Sequence, residues 1–325
     1  MTATQTVGSL TDRQLKEQLA RGALILRTGG FNVRIASRFD SVRRAISLLY
    51  ADYPLLADDA FTDFQISLER SGGLRRLFRQ QVRAHSDGVM PFFPMPAAHA
   101  FPLFEWALNL FVSTSVNGML IIHAAVVEKN GLAAILPGSP GSGKSTLCAA
   151  LVNRGWRLLS DELTLVRISD GRIVPLPRPV SLKNASIGVI GAYAPQAVFS
   201  ASVADTSKGT IAHMKPPAES VRRAEEPAQP AWVIFPKYAA GATTRLDPVS
   251  RASGFMKLAD NAFNYSGLGL QGFETVARLI DVADCYDFRY SILDEAIAAF
   301  DALAETGRPT GAGGTPAARS TTDVA

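Results

Sequence analysis

The sequence predicts a mixed α/β protein, α+β overall, on three observations. A glycine-rich turn, Gly138-Ser139-Pro140-Gly141-Ser142-Gly143, lies between an apolar strand-like run and a helix-like run. Two dipeptides, Asn130-Gly131 and Asp170-Gly171, each separate apolar runs short enough to be paired strands. Such dipeptides favour hairpins, because a type I′ turn needs positive φ at both central residues. Ahead of these features, residues 1–95 alternate helix and strand signals on the scale of a small α+β domain and end in a proline-rich run, Pro91 to Pro102.

Within the first unit, Thr11 followed three positions later by Gln14 is a capping-box signature, opening a helix that Gly22 can end. Residues 31–36 alternate as a strand, and Asp40 can cap a helix that runs to Tyr50 and is stopped by Pro54. Phe64, Ile66 and Leu68 alternate again, as a strand with one buried face. Arg70, Arg75, Arg76, Arg79 and Arg83 form a basic cluster with no acid among them. A solvated face accounts for such a run as well as an acidic partner does.

Residues 100–305 read as one larger unit. A helix over 101–115 leads to a single strand over 119–128, then the Asn130-Gly131 turn, then a strand over 132–136 that enters the glycine turn directly. A helix over 144–154 with Gly155 behind it comes next, then a strand over 157–159, and Asp161-Glu162 follow at once. Residues 163–168 and 173–176 form the second hairpin. Further on stand a polar loop over 205–210, a Pro/Glu/Arg-rich connector over 214–230, a core strand over 232–235 and helices near 252–263 and 294–304. Residues 306–325 hold almost no bulky apolar side chain and are expected to be a disordered tail.

Composition narrows the function classes. With 47% hydrophobic and 19% charged residues the chain can bury a core, and a formal charge of +4 spread over 33 basic and 29 acidic residues gives no electrostatic case for nucleic acid. Cys148 and Cys285 match neither a disulfide framework nor a zinc pattern, and read as buried thiols in a reducing cytoplasm. Residues 1–19 lack the apolar run of a signal peptide. The most membrane-like stretch, 107–127, is interrupted by Asn109, Ser113, Ser115, Asn117, Gly118 and His123, so a membrane span is not expected.

The glycine turn satisfies the spacing Gly-x-x-x-x-Gly-Lys-Ser through Gly138, Gly143, Lys144 and Ser145. Glycines at Gly138, Gly141 and Gly143 let backbone N–H groups, with those of Ser139 and Ser142, turn inward around phosphate oxygens. Pro140 has no N–H to offer. A helix opening at Lys144, Ser145 and Thr146 aims its N-terminal dipole at the same anion. Lys144 brings a point charge to the β and γ phosphates, and the Ser145 hydroxyl suits Mg²⁺. The expected ligand is therefore MgATP or a related nucleoside triphosphate.

Three further side chains are expected near the loop. One helix and one short strand return Asp161 to the loop's sheet edge, where an acid can take a proton from an attacking hydroxyl or hold Mg²⁺ through water. Glu162 is expected on the opposite face if the strand continues. Counting outward from the Asn130-Gly131 turn sets His123 opposite Gly138, at the mouth of the loop, although a lone histidine on an apolar strand also fits a core role. Lys208, in the polar Gly-Thr loop, is a candidate to close over phosphates or a plain solvated lysine.

Taken together, His123-Ala-Ala-Val-Val, the hairpin, the glycine loop and Arg154-Gly-Trp-Arg-Leu-Leu-Ser-Asp-Glu162 resemble the catalytic domain of HPr kinase/phosphorylase. A narrower resemblance, to HPr-kinase-related proteins called HprK-related kinase A, extends to residues 177–184, 205–213 and 261–265. It implies a P-loop core of the phosphoenolpyruvate-carboxykinase-like type with a hairpin-rich mixed sheet. It also implies a kinase passing the γ-phosphoryl of MgATP to a Ser/Thr hydroxyl of a protein or peptide. Under it His123 matches the family histidine, Asp161 the base, and Glu162 replaces a second, metal-holding aspartate. Ser145-Thr146 stands where HPr kinases have Ser-Glu, and their downstream Pro-Val-x-x-Gly-Arg loop is not found. A small-molecule P-loop kinase and a nucleotide-binding regulator are the alternatives, and homo-oligomeric assembly stays open.

Overall fold

A computed structural model of the chain describes residues 5–72, 80–86 and 89–307. Its first elements are α1 (Asp12–Arg21), β1 (Leu24–Thr28), β2 (Phe31–Ser37), α2 (Asp40–Leu49), β3 (Phe64–Arg70), β4 (Gln81–His85) and β5 (Met95–Pro96), with the strands in one sheet in sequential order. The Thr11 capping box is formed in both directions, and Gly22 closes α1 at φ +67. Asp40 does not cap α2. Phe39 takes the N-cap position with no side-chain bond, and Asp40 sits in the first turn, where a carboxylate favours the helix dipole. The hairpin β1–β2, turning at Gly29-Gly30, went unpredicted.

Helix α3 (Ala100–Ser115) follows. Its Phe101, Phe104, Leu108 and Val112 share one apolar cluster with Leu24, Ile35, Ile46 and Leu68, and with Leu163, Leu165 and Leu176 further on. The core therefore runs across the boundary expected at 95–100. Of the basic cluster, Arg75, Arg76 and Arg79 lie outside the described residues, as does 308–325 of the expected tail.

The strand expected over 119–128 is two strands, β6 (Met119–Ile122) and β7 (Ala124–Lys129), broken at His123. The break has a visible cause. The His123 N–H donates to the Asn261 carbonyl at 2.7 Å, and Asn264 accepts from the Ile121 N–H at 2.9 Å, so residues 261–264 draw β6 away. The next elements are β8 (Leu132–Pro137), α4 (Lys144–Val152), β9 (Arg157–Ser160), β10 (Thr164–Arg167) and β11 (Ile173–Val174). Strand β6 joins β10 and β11 in a three-stranded sheet, while β7 pairs with β8 and β9. Asn130 and Gly131 take φ +55 and +83, as a type I′ turn requires, and Lys129 faces Leu132 in the expected register.

Past β11 lie β12 (Val180–Lys183), α5 (Ala185–Tyr193), β13 (Val203–Thr206), β14 (Gly209–Met214) and α6 (Ala218–Arg222). The expected loop over 205–210 is thus the tip of a β-hairpin, with Thr206 facing Gly209. The chain ends with β15 (Gln229–Tyr238), β16 (Arg245–Pro248), α7 (Arg251–Asp260), α8 (Tyr265–Leu268), α9 (Leu270–Val282), β17 (Asp284–Tyr290) and α10 (Leu293–Thr306). The largest sheet runs β16-β17-β15-β8-β7-β9 and is buried on both faces. Ala134 and Leu136 of β8 pack with α4 and α10, whereas Ala133 and Ile135 pack with α7 and α9. Cys148 and Cys285 are buried free thiols. Among the described residues no helix is long and apolar enough to cross a membrane.

One charged pair fixes β9 on β7: Arg157 donates to Glu128 across the two strands, with side chains 5% and 3% exposed. Glu128→Ala removes the buried carboxylate partner of Arg157, leaving it only the Arg223 and Glu226 carbonyls and the Glu226 carboxylate at 3.8 Å. It is expected to cost up to about 3–5 kcal/mol, read as a lowered denaturant midpoint with an unchanged slope.

Candidate functional site

Strands β8, β15 and β17 run parallel, and β9 shares their direction because β7 is antiparallel to both β8 and β9. Their C-terminal ends bring Gly138, Asp161, Tyr238 and Tyr290 to one sheet edge. His123 arrives at the same edge from the other direction, one residue before the Ala124–Pro137 pair. This edge is where open α/β sheets bind ligands.

The loop over 138–143 connects β8 to α4. Gly141 and Gly143 have φ +86 and +94, a region costly for any residue with a Cβ. At Gly143 a Cβ would also meet Tyr290 Oη at 2.6 Å and Tyr238 Cβ at 3.1 Å. Tyr290 donates to the Gly143 carbonyl at 3.2 Å, and the Tyr238 N–H donates to the Ser142 carbonyl at 3.0 Å, so β15 and β17 hold the loop from outside. The Ser142 N–H is used within the loop, donating to the Ser139 carbonyl, while its Oγ is buried without a hydrogen-bond partner. Lys144 folds back so that Nζ donates to the Gly138 carbonyl. Burial lowers its pKa, and Asp161 and Glu162 oppose that shift.

Asp161 is 6% exposed. Oδ2 accepts the Ser181 N–H at 3.0 Å, and Oδ1 is buried with no hydrogen-bond partner. Burial, then repulsion from Glu162, pushes its pKa up to about 6, against the pull of the Ser181 N–H, the Ser145 hydroxyl and Lys183. Glu162 does not turn to the opposite face. The chain bends after Ser160, and both acids line one cleft with Glu105, Asn109, Arg178 and Ser181. Asn109 donates to Glu162 Oε2 at 2.6 Å, and Lys208 Nζ lies 3.7 Å from Oε1. Burial raises the Glu162 pKa, but Lys208, Lys183 and Arg178 outweigh it and the net shift is downward.

Lys208, on the β13–β14 hairpin tip, therefore joins the acids and also lies over the Trp106 ring at 5.6 Å. The His123 ring rests 5.5 Å from that of Phe263. Burial and then Lys144 bring its pKa down to about 4, so the ring is neutral at pH 7. The structure thus gathers His123, Lys144, Asp161, Glu162 and Lys208 around the loop.

Five contributors were not singled out from sequence: Glu105, Asn109, Arg178, Ser181 and Lys183. Glu105 and Asn109 did leave a signal, since a carboxylate and an amide one turn apart are unusual in a helix as apolar as α3. Ser181, on a strand pairing with β14, lies inside the 177–184 run that carries the narrower resemblance, but nothing in that run marked it as a partner of Asp161.

Among the described residues no cluster of three or more His, Cys, Asp or Glu side chains could hold a metal unaided. Two carboxylates, one with an unpartnered buried oxygen, and the Ser145 hydroxyl do fit Mg²⁺, which binds through one or two carboxylates plus substrate phosphates.

A strand–glycine loop–helix site with an acid pair at the C-terminal edge of a mixed sheet defines the class. Comparison with known proteins narrows it. The family model described as SynChlorMet cassette protein ScmC matches residues 99–182, a window holding α3, the loop, both acids and Arg178. The HPr kinase/phosphorylase of Clostridium botulinum (strain Eklund 17B / Type B) is 25% identical over 84 residues, covering 26% of this chain and 28% of the relative. That of Latilactobacillus sakei subsp. sakei (strain 23K) is 32% identical over 115 residues, covering 33% of this chain and 37% of the relative. The solved HPr(Ser) kinase/phosphatase from Coxiella burnetii aligns at 14% identity over 57% of this chain and 99% of that one, with a TM-score of 0.26. The chain spans about a third of the length of the curated relatives it matches. Across the matched segments it is similar in sequence to HPr kinase/phosphorylases.

Two stability measurements check this geometry. Gly141→Ala meets strain at φ alone, about 1–2 kcal/mol, because nothing lies within 4 Å of its Cβ position. Gly143→Ala adds the Tyr290 contact and should lower the melting temperature further. His213, buried in the cleft wall, has its pKa brought down by burial to about 3. That lies below its unfolded value near 6.5, so the unfolded chain binds the extra proton between the two. Stability is lost as pH falls through that window, and His213→Gln should flatten the melting temperature between pH 6 and 4 relative to wild type.

Proposed function

We propose that the protein is an ATP-dependent kinase that transfers the γ-phosphoryl group of MgATP to a Ser/Thr hydroxyl of a protein or peptide, working in the cytoplasm. The observation carrying this reading is the unpartnered buried Oδ1 of Asp161 on the sheet edge that also holds Lys144 and the glycine loop. A protein acceptor is suggested by the relatives, named HPr kinase/phosphorylase, and the hydroxyl is what the motif resemblance to that family implies.

In this reading the loop amides and the α4 N-terminus cradle the phosphates, and Lys144 exchanges the Gly138 carbonyl for phosphate oxygens. Asp161 Oδ1 accepts the acceptor hydroxyl's proton as the new O–P bond forms. The bond from the γ-phosphorus to the β–γ bridging oxygen breaks, leaving ADP. A neutral His123 beside Gly138 hydrogen-bonds a phosphate oxygen, and Lys208 closes over the transferred group from the hairpin tip. Ser145 and Glu162 would hold Mg²⁺, which when bound offsets phosphate charge. Residues 1–95 form an N-terminal unit on this catalytic unit.

Incubation with γ-labelled ATP and host lysate tests the acceptor: label in protein is expected, whereas label confined to small molecules or free phosphate overturns the assignment. Lys144→Ala should weaken nucleotide binding in a titration. Asp161→Asn keeps the shape but cannot take a proton, so transfer should fall about 10²-fold or more with MgATP affinity nearly unchanged. Full transfer by that variant would remove Asp161 from the reaction.

A further inference from the structure

Glu105 and Asn109 lie one turn apart on α3 and so share a face, and both line the cleft of Asp161 and Glu162. Arg178 bridges them. Its Nη1 is 3.8 Å from Glu105 Oε2, and its Nη2 donates to Asn109 Oδ1. Asn109 Nδ2 then donates to Glu162 Oε2. At the other end of this chain of contacts, Tyr50, just past α2, donates to Glu105 Oε1 at 2.6 Å. Tyr53 donates to the carbonyl of Pro177, beside Arg178. Tyr50, Glu105 and Arg178 are 0%, 3% and 7% exposed, so little water screens these contacts, of which the Arg178–Glu105 one is ionic, with Nη1 making no hydrogen bond.

We propose that Asn109 is a positioning residue for the Glu162 carboxylate and is itself locked by Arg178, Glu105 and Tyr50. The N-terminal unit thereby sets the orientation of a metal-holding acid. This rests on the kinase reading in taking Glu162 as a Mg²⁺ ligand. The amide is matched to its place. Only with Oδ1 toward the guanidinium and Nδ2 toward the carboxylate are both partners satisfied. Aspartate keeps the first contact and repels across the second, and leucine leaves both unmade. With Oε2 committed to Asn109, Oε1 is the oxygen turned toward Lys208 and the open side of the cleft. Outer partners of this kind orient ligating carboxylates, and their loss typically weakens metal affinity about 10–100-fold.

The test is nucleotide binding by the full chain as a function of Mg²⁺, with ATP in EDTA as the metal-free reference. Asn109→Asp is expected to raise the Mg²⁺ requirement about 10–100-fold and to leave binding in EDTA unchanged. Tyr50→Phe removes one oxygen at the far end and should shift the requirement in the same direction by less, which keeps the test informative if Asn109→Asp does not fold. An unchanged requirement in both variants, or equal losses with and without metal, overturns the proposal. Glu162→Gln, measured in parallel, separates the two layers. If it leaves the requirement unchanged, the metal role of Glu162 falls and the proposal with it. If it raises the requirement while the other variants do not, only the positioning claim falls.

Discussion

Glu128 and Arg157 face each other across β7 and β9 at the end of the strands remote from the candidate site. Arg157 also donates to the carbonyls of Arg223 at 3.0 Å and Glu226 at 3.1 Å, so its charge is surrounded by acceptors. Buried ion pairs recover little net stability after desolvation. What this one supplies is register, because a one-residue slip of β9 would turn its charge and its apolar residues to the wrong faces. β7 lies between β8 and β9, antiparallel to each, and its register with β9 shifts by one residue between Val127 and Val126, so the ion pair sets the pairing at the Glu128 end while the Val126–Ser160 pair stands beside Asp161.

Adjacent carboxylates at that edge would be expected to titrate alike, and their surroundings separate them. Asp161 is enclosed and receives one backbone N–H, and burial drives its pKa to about 6. Glu162 reaches toward Lys208, Lys183 and Arg178 and is held below its ordinary value. Neighbouring acids pushed apart in this way can divide proton transfer from charge stabilisation. The bend after Ser160 makes the division possible, because a continuing strand would have sent Glu162 to the other face of the sheet.

That bend was not legible in the sequence, whereas the register of the hairpin was. Asn130-Gly131 restricts its own backbone so strongly that the facing pairs from Lys129–Leu132 to Ala124–Pro137 follow from local chemistry. The break at His123 depends instead on Asn261 and Asn264, far along the chain, competing for the backbone of β6. No local pattern carries such a contact. The same distance hides Ser181 behind Asp161, and it hides the β13–β14 hairpin, where polar side chains at the tip read as loop. Helix α9 and strand β17 went unpredicted although both carry apolar periodicity, with buried Thr275, Val276, Leu279 and Ile280 on one and alternating Tyr286, Phe288 and Tyr290 on the other.

Helix α3 shows why the two units cannot be considered separately. One side of it, through Phe101, Phe104, Leu108 and Val112, belongs to the apolar core of the N-terminal sheet. Another side carries Glu105 and Asn109 into the cleft. Burial raises the Glu105 pKa against the pull of Arg178 and the Tyr50 hydroxyl, so this carboxylate is held at a cost. Replacing a buried pair such as Glu105–Arg178 with apolar groups of similar volume is often neutral or stabilising, so stability does not explain its presence. Orientation does. A packed interior transmits small displacements rather than absorbing them, and a rotation of α3 in the N-terminal core would move the amide that holds Glu162. The apolar contacts of α3 and its polar ones are therefore two ends of a single constraint, joining the packing of the first sheet to the charge distribution at the glycine loop.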